Sequence, residues 1–485
     1  MLFVTDEFLV FFLVVYLLFW LVSDRLRIPL LIGASLFFYA TWSFIFTFHL
    51  LLVVVVNYLV MELWRIYGKK WIFIALQIAN VANIGVFKYY YFFADVIGRL
   101  IGNPALYEEN LRQADRLVGT EIFLPLAISF YTFQIMAYGF DIYRGTYNER
   151  HSFSQVLLFK SFFPQLIAGP IMRSSELLPQ IRELHAGEGP RPDFNMHKKG
   201  LWLVLIGVTK KVLVADQLLK YVSPLFYASS DPATPFAFDP IVIWLGVFGC
   251  LAMLYADFSA YSDLARGFGY LLGFEIPINF KAPFFMTSIS DFWRRWHLTF
   301  SRWIRDYIFI PLGGSRVSEG RVYLNYVITF AIGGLWHGAS YPFLIWGVGV
   351  GVWISIENFL EKRGLPMLPE NLAWRGVRVI IAWIFLLVSS IFFFGSGAEY
   401  CWNAVVQMFH FTAIGSDELK VLPGVEPFAY ALLAVLLFHL FEERPAWFTW
   451  LRRYENWLLP AAGVALILAL TQYAGKNADF FYFQF

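Results

Sequence analysis

Two histidines stand where an imidazole could act on a substrate. His337 lies in the run GGLWHGA, residues 333–339, inside an apolar stretch and between small residues. His297 lies in DFWRRWHLTF, residues 291–300, among arginines and bulky rings. A buried neutral imidazole beside a hydroxyl group is a natural general base, because its pKa lies near the working pH. The glycines around His337 would let a substrate chain or a second backbone approach the ring closely.

Each histidine also has a simpler interpretation. His297 taken by itself is more typical of a structural residue, and the glycines beside His337 also fit a packing motif with an incidental histidine. The pair could instead bind a metal, but neither histidine has a cysteine or an acidic residue at ligand spacing beside it. We therefore predict no metal site.

The arginines around His297 form a second chemical feature. On a helical wheel of residues 291–307 the large apolar side chains share one sector, the arginines share another, and His297 falls at the boundary. The wheel predicts one amphipathic helix whose arginines face an anion. Guanidinium groups bind phosphates well, so that anion is either a lipid headgroup or a polyanionic substrate. The apolar set is Phe292, Trp293, Trp296, Phe300, Trp303, Ile304 and Tyr307, and the basic set is Arg294, Arg295, Arg302 and Arg305.

A third polar cluster lies in YADFSAYSDLARG, residues 255–267, at the end of a hydrophobic stretch. Asp257 and Ser259 belong to it. These groups predict a hydrogen-bond network that satisfies unwound backbone, orients a histidine or pairs with the arginines. A direct part in the chemistry is the alternative.

The composition is that of a polytopic membrane protein. Of the 485 residues 59% are hydrophobic and 15% are charged, whereas soluble domains are nearer half apolar and a quarter charged. Many apolar runs are long enough to cross about 30 Å of hydrocarbon. We predict an all-α fold that forms one integral membrane domain over residues 1–485, with its catalytic core at about 122–360. The predicted spans are 8–23, 28–44, 46–63, 71–95, 122–143, 153–170, 199–220, 241–274, 322–339, 342–360, 376–396, 428–442 and 456–474.

Basic loops indicate how these spans are oriented. Lys/Arg-rich connectors face the cytoplasm, and the clearest ones here are 23–29, 65–70, 361–366 and 452–456. The tight loop at 338–342 and the acidic stretch at 397–427 fall between them and belong outside. Counted in this way, both termini lie outside.

Three stretches depart from a simple alternation of spans and loops. Residues 171–200 form a polar loop that predicts a short amphipathic helix with a flexible tip. Residues 275–321 are too polar to span and too aromatic for an ordinary loop, so we predict a re-entrant or interfacial region. Proline and glycine within 153–170 predict a kinked or broken helix. The long polar connector at 101–121 has no assigned role.

The motifs resemble a known family. SISDFWRRWHLTFSRWIRDYIFIPLGGSR, residues 288–316, followed by GGLWHGA looks like the signature of the membrane-bound O-acyltransferases. ISFYTFQIMAYGFDIYRG (128–145), LIAGPIMR (166–173) and the cluster at 255–267 are similar to the alginate O-acetyltransferase branch, which acetylates exported polysaccharides. The resemblance covers about residues 28–360.

This resemblance implies a many-helix bundle with re-entrant segments around a central tunnel. It implies acyl transfer from a cytosolic thioester, acetyl-CoA in this branch, to an acceptor on the outer side, with no permanently bound cofactor. The acceptor would be an exported polysaccharide of the alginate, cellulose or peptidoglycan type, reached through a periplasmic or extracellular SGNH-type acetyltransferase. The location would be the bacterial inner membrane, with membrane lipid around the protein and no nucleic-acid partner.

The same resemblance makes His337 the catalytic histidine and His297 a second essential one. In our hypothesis His337 deprotonates the acceptor hydroxyl, which belongs either to the polymer or to a serine of the partner protein, while His297 positions the thioester or the departing thiol. The residues expected to support them or to bind the donor are Trp296, Arg294, Arg295, Asp291, Arg305, Asp306, Trp336, Asp257 and Ser259. Asp291 and Asp306 would hold His297 or the arginines in place.

Two other functions fit the sequence. Within the family, D-alanyl transfer toward teichoic acid would use a thioester on a carrier protein and would need a cytoplasmic docking surface for it. Outside the family, a transporter of acyl groups or glycans would need a charged path or repeat symmetry, and neither is evident in the sequence.

Overall fold

A computed structural model of the chain describes residues 1, 3–103, 125–191, 193–227, 240–364, 372–395, 397–410, 425–444, 446 and 453–473. Every regular element in these ranges is a helix, as predicted. Contacts divide the chain into two compact units, one formed by Met1–Gly200 with Ala265–Pro277 and the other by Leu201–Leu264 with Ile278–Phe485. One integral membrane domain over residues 1–485 stays a prediction.

The first unit contains the helices before Gly200. They are α1 (Asp6–Leu21), α2 (Asp24–Ala40), α3 (Phe44–Tyr67), α4 (Lys70–Ile84) with a π-helical turn Gly85–Tyr89, α5 (Tyr90–Leu100), α6 (Ile128–Arg144), α7 (Phe153–Ser161), α8 (Phe163–Leu166) and α9 (Ser174–Ala186). Helix α10 (Phe194–Val208) passes from the first unit into the second.

The second unit contains most of the remaining helices. They are a π-helical turn Thr209–Ala215, α11 (Asp216–Tyr227), α12 (Pro240–Leu271), α13 (Ile289–Trp293), α14 (Leu298–Ile304) with a π-helical turn Arg305–Phe309, α15 (Glu319–His337), α16 (Tyr341–Lys362), α17 (Leu372–Phe394), α18 (Ala398–Met408), α19 (Val425–Glu443) and α20 (Glu455–Tyr473). The last turns of α12 belong to the first unit.

Five helices in the described ranges are long and apolar enough to cross a membrane. They are Phe44–Tyr67, Lys70–Leu100, Pro240–Leu271, Tyr341–Lys362 and Gly376–Phe394. Protein buries 78% of the most apolar window of Pro240–Leu271 but only 33% of that window in each of the other four. Helix α12 is therefore surrounded by protein, while the other four present apolar side chains outward.

Two of the three predicted irregular stretches have the expected form. The span predicted at 153–170 is broken, because α7 ends at Ser161 and Pro164 begins only a short turn. The polar loop 171–200 contains the predicted amphipathic helix as α9, which ends at Ala186 and is followed by Gly187 in a left-handed conformation. The connector at 101–121 and the loops at 361–366, 397–427 and 452–456 lie wholly or partly outside the described residues.

The single amphipathic helix predicted over residues 291–307 is wrong. Helix α13 ends at Trp293, α14 begins at Leu298, and His297 between them has φ 43°, a left-handed conformation that a side chain rarely adopts. The wheel failed because residues distant in sequence supply the hydrogen bonds of this break. The main chain and side chain of Asn279 accept from the amides of Leu298 and Thr299.

Helices α15 and α16 pack backbone against backbone. A Cβ atom added to Gly334 would lie 2.2 Å from the Phe343 carbonyl oxygen, and one added to Gly347 would lie 2.2 Å from the Phe330 carbonyl oxygen. Only glycine permits this approach. The glycines predicted to thin the helix beside His337 therefore join it to the following helix.

We expect Gly347→Ala to destabilise the protein, because its new methyl group overlaps the main chain of α15. Overpacking of this kind costs roughly 1–3 kcal/mol. Gly349→Ala on the same helix is the matched control, since nothing lies within 4 Å of its added Cβ. Thermal unfolding of both purified variants in detergent is the measurement. An equal unfolding temperature for the two would contradict the close packing.

Candidate active site

The motif segment is fixed at its start by a carboxylate from α16. Glu357 accepts hydrogen bonds from the Ile289 and Ser290 amides at 2.9 and 2.8 Å, and from the Ser290 hydroxyl at 2.6 Å. These amides belong to the first turn of α13, where a helix leaves its N–H groups unsatisfied and favours negative charge. The Ser288 hydroxyl caps the same turn by accepting from the Asp291 amide.

The left-handed turn at His297 is held by hydrogen bonds on both sides. The Lys281 amide donates to the Arg295 carbonyl, and the Leu298 amide donates to the Asn279 carbonyl, each at 2.9 Å. The Thr299 hydroxyl also donates to the Asn279 side chain at 2.9 Å. Residues 279–281 thus satisfy the backbone that the helix break leaves open.

The His297 ring is buried, with 1% of the residue exposed. Its centroid lies 4.7 Å from that of Phe258, and burial lowers the pKa of the imidazole well below its ordinary range. Nδ1 accepts from the Phe300 amide at 3.4 Å, so the neutral ring carries its proton on Nε2. Nε2 has no hydrogen-bond partner among the described residues. Buried donors in that state are rare enough to need an explanation, such as a substrate atom.

His337 is the last residue of α15 and is also buried, with 5% of it exposed. Its ring lies 5.4 Å from Trp346 and 5.1 Å from Phe393. A cavity of about 30 Å³ adjoins it, and the wall includes Phe258, Trp296 and Ser390. This volume is about that of one water molecule.

Two aromatic rings connect the two histidines. Phe300 and Trp336 stack with centroids 4.4 Å apart. His297 contacts both rings at 5.1 and 6.1 Å, and His337 contacts both at 5.6 and 4.9 Å. Residues forty positions apart in sequence therefore share one apolar pair, which keeps both imidazoles in a dry environment.

The aromatic rings of the motif lie in the interior and two of its arginines lie at the surface, although one helix does not carry them all. Every member of the predicted apolar set is buried in protein, so these rings do not serve as lipid anchors. Arg294 and Arg305 are exposed. Arg305 pairs with its neighbour Asp306 at 2.7 Å, and Arg295 pairs with Asp291 at 3.1 Å and with Glu443 at 2.8 Å. Both aspartates thus contact arginines.

Asp257 contacts a residue that the sequence did not single out. The Lys211 ammonium lies 2.8 Å from a carboxylate oxygen of Asp257 and 2.8 Å from one of Asp216. Lys211 and Asp257 are each 1% exposed as side chains. Asp257 therefore balances a buried cation, and Ser259 is buried two residues further along α12.

A second buried lysine was also missed. Lys210 lies 2.9 Å from Asp263 and 3.2 Å from Glu442. Lysine is almost never fully buried unless it is paired. The adjacent KK in an apolar span was the available signal, but the partners lie up to 232 residues away in sequence.

The sequence comparisons identify a family and several curated relatives. The model of the membrane-bound O-acyltransferase family matches residues 148–397. A probable alginate O-acetylase of Pseudomonas aeruginosa is 33% identical over 92% of this chain and 83% of its own. The peptidoglycan O-acetyltransferase of Helicobacter pylori is 32% identical over 93% of this chain and 84% of its own. The teichoic acid D-alanyltransferase of Bacillus subtilis is 27% identical over 53% of this chain and 65% of its own.

The helical fold with its apolar spans and these matches define a membrane enzyme that transfers acyl groups. The chain belongs to the membrane-bound O-acyltransferase family. The resemblance seen in the motifs is confirmed. The prediction of an O-acyltransferase is also confirmed, in preference to that of a transporter.

We expect Lys211→Met to lower the stability of the protein severely, because it leaves Asp257 and Asp216 buried without their cation. Removing one partner of a buried ion pair costs roughly 3–5 kcal/mol. Lys70→Met is the control, since Lys70 is an exposed lysine at the start of α4. Thermal unfolding in detergent compares the two. A wild-type unfolding temperature for Lys211→Met would show that this ion cluster is not structural.

Proposed function

We propose that the enzyme moves an acetyl group from cytosolic acetyl-CoA to a hydroxyl group on the outer side of the membrane, for O-acetylation of an exported polysaccharide. The observation that carries the proposal is the pair of buried histidines on one Phe300–Trp336 stack. The names of two relatives, an alginate O-acetylase and a peptidoglycan O-acetyltransferase, support the acetyl group and the polymer. The direct acceptor is either the polymer or a serine of a periplasmic SGNH-type partner.

His337 is the general base of this reaction. It accepts the proton of the acceptor hydroxyl while that oxygen forms a bond to the thioester carbonyl carbon. The resulting tetrahedral species loses the thiolate when its C–S bond breaks, and the protonated His337 returns the proton to the sulfur. Base assistance supplies roughly 10²–10⁴ of the rate, and positioning supplies much of the remainder.

His297 acts on the donor. Its buried Nε2–H is suited to donate to the thioester oxygen as negative charge develops there. One such donor in a water-excluded site is worth about 10²–10³ in rate. Trp296 and Trp336 pack around the two imidazoles and limit the access of water.

The exposed arginines bind the phosphates of the donor. Arg294 and Arg305 are the accessible members of the basic set, and guanidinium groups suit phosphate oxygens. Asp306 orients Arg305, whereas Asp291 orients Arg295. Asp257 and Ser259 support the helix that carries Phe258 against His297.

D-alanyl transfer is the second candidate, because one relative is a teichoic acid D-alanyltransferase. That match covers a smaller part of the chain than the acetyltransferase matches do. Membranes that contain the enzyme distinguish the donors directly. Label transfer from acetyl-CoA supports the proposal, and transfer from a D-alanyl carrier thioester alone would replace it.

We expect His337→Ala to abolish acetyl transfer and His297→Ala to reduce it strongly. Loss of the base should lower turnover by roughly 10²–10⁴, and loss of the donor by about 10²–10³. His410→Ala is the matched control, because His410 is exposed and lies outside the site. The measurement is transfer of labelled acetyl groups in membranes at equal protein level. Full activity of His337→Ala would refute its assignment as the base.

The proposed location is the inner membrane, with loop 361–366 in the cytoplasm and both termini outside. In intact cells a membrane-impermeant maleimide should label Glu399→Cys and spare Arg363→Cys. The two native cysteines, Cys250 and Cys401, are buried and give little background. Labelling after permeabilisation controls for reactivity at both positions. Strong labelling of Arg363→Cys in intact cells would reverse the orientation.

A further inference from the structure

The end of α19 contacts the loop that leads to His297. The Glu442 carboxylate accepts from the Ala282 amide at 2.6 Å, and the Glu443 carboxylate accepts from the Arg295 guanidinium at 2.8 Å. One turn earlier, the His439 ring stacks on Phe284 with centroids 4.8 Å apart and planes at 12°. These contacts come from the run FHLFEER, residues 438–444, which lies beyond the family match that ends at 397.

Glu442 is itself fixed by two further groups. Its other oxygen accepts from the Tyr255 hydroxyl at 2.5 Å and from the Lys210 ammonium at 3.2 Å. Lys210 is anchored in turn by Asp263 at 2.9 Å. Charge-assisted hydrogen bonds of this kind are short and roughly twice as strong as neutral ones. The carboxylate therefore presents a rigid acceptor to Ala282.

The contact at Ala282 leads directly to the His297 turn. Ala282 has φ 42°, another left-handed conformation without glycine, so its backbone depends on outside support. Its neighbour Lys281 donates to the Arg295 carbonyl at 2.9 Å, two residues before His297. Glu443 holds the Arg295 side chain from the same helix. Two glutamates thus fix both backbone segments that meet beside His297.

We propose that Glu442 and Glu443 are positioning residues of the transfer reaction, which hold the His297 turn in the geometry that presents Nε2 to the donor. The inference rests on the proposed function for its kinetic consequence, while its structural part does not depend on the donor. Neither glutamate touches the two histidines in the contacts described, so both act through the backbone of residues 279–299. Helix α19 then helps to position the reacting groups, although it lies beyond the family match.

The first test uses Glu442→Ala, with Glu442→Gln as the conservative variant and Glu399→Ala, an exposed carboxylate on α18, as the control. A misplacement of about 1 Å can cost 10²-fold in rate, so kcat for acetyl transfer should fall by roughly 10-fold to 100-fold in Glu442→Ala. The KM for acetyl-CoA should stay within about twofold, since the phosphate-binding arginines remain. Glu442→Gln should recover part of the rate, because its amide oxygen still accepts from Ala282.

The second test is hydrogen exchange of the purified protein, which needs no activity. Amides within residues 279–299 should exchange faster in Glu442→Ala and in Glu443→Gln, while those of α15 and α16 stay protected. The Glu443 side chain is 36% exposed in the wild type, so this position tolerates the substitution. Wild-type exchange in 279–299, or equal acceleration over the whole chain in Glu443→Gln, would overturn the proposal. An unchanged kcat in Glu442→Ala would also overturn it. If the wild-type enzyme is inactive with acetyl-CoA, only the assignment of the donor is refuted. Hydrogen exchange then still tests whether Glu442 and Glu443 hold the His297 turn.

Discussion

The need to satisfy buried backbone groups controls the arrangement of this site. A left-handed turn at His297 opens a helix in an apolar interior, where an unpaired amide or carbonyl costs several kcal/mol. Residues 279–281 supply the missing partners, and Glu357 and Glu442 supply acceptors for amides at the edges of the same segment. Non-helical backbone persists here because every strained position has a partner from another element. These hydrogen bonds allow His297 to keep its left-handed conformation in the interior.

The charges of the interior follow the same rule. Lys210 and Lys211 are buried beside each other, which would be prohibitive for unpaired ammonium groups. Three aspartates and one glutamate divide between them, so each lysine has two carboxylate neighbours. These clusters join the π-helical turn Thr209–Ala215 to α11, α12 and α19. They stabilise one packing of the helices around α12, because any displacement would leave a charge without its counterpart.

The sequence predicted the all-α fold and singled out the two histidines that share one aromatic pair, because both inferences depend on local signals. A histidine between glycines in an apolar run and an arginine-rich aromatic motif can be recognised from neighbouring letters. The break at residues 294–297 could not be recognised in this way. Its cause is Asn279 and Lys281, which lie before the motif and form their bonds only in the folded chain. The wheel grouped the aromatic rings apart from the arginines, but it placed both groups on one continuous helix, which the structure does not contain.

Glu442 and Lys210 were missed for a related reason. An acidic pair at the end of an apolar helix looks like a solvated terminus, and a lysine pair in a span looks like a boundary. The burial of Lys210 and that of Glu442 explain each other, but 232 residues separate the two positions in the sequence. Paired burial depends on two positions, so the lysine pair in an apolar span could signal a buried cation but not the carboxylates that balance it.

The two histidines are held by different kinds of structure, and this difference bears on the reaction. His337 ends a helix whose backbone contacts α16 through Gly334 and Gly347, so it cannot shift without separating two helices. His297 sits on a turn that depends on hydrogen bonds from several elements. The cavity beside His337 holds about one water molecule, so a thioester must displace neighbouring side chains to reach it. In the proposed reaction, packed backbone holds the base and hydrogen bonds hold the group that donates to the thioester, so both groups stay in place while the side chains around the cavity move.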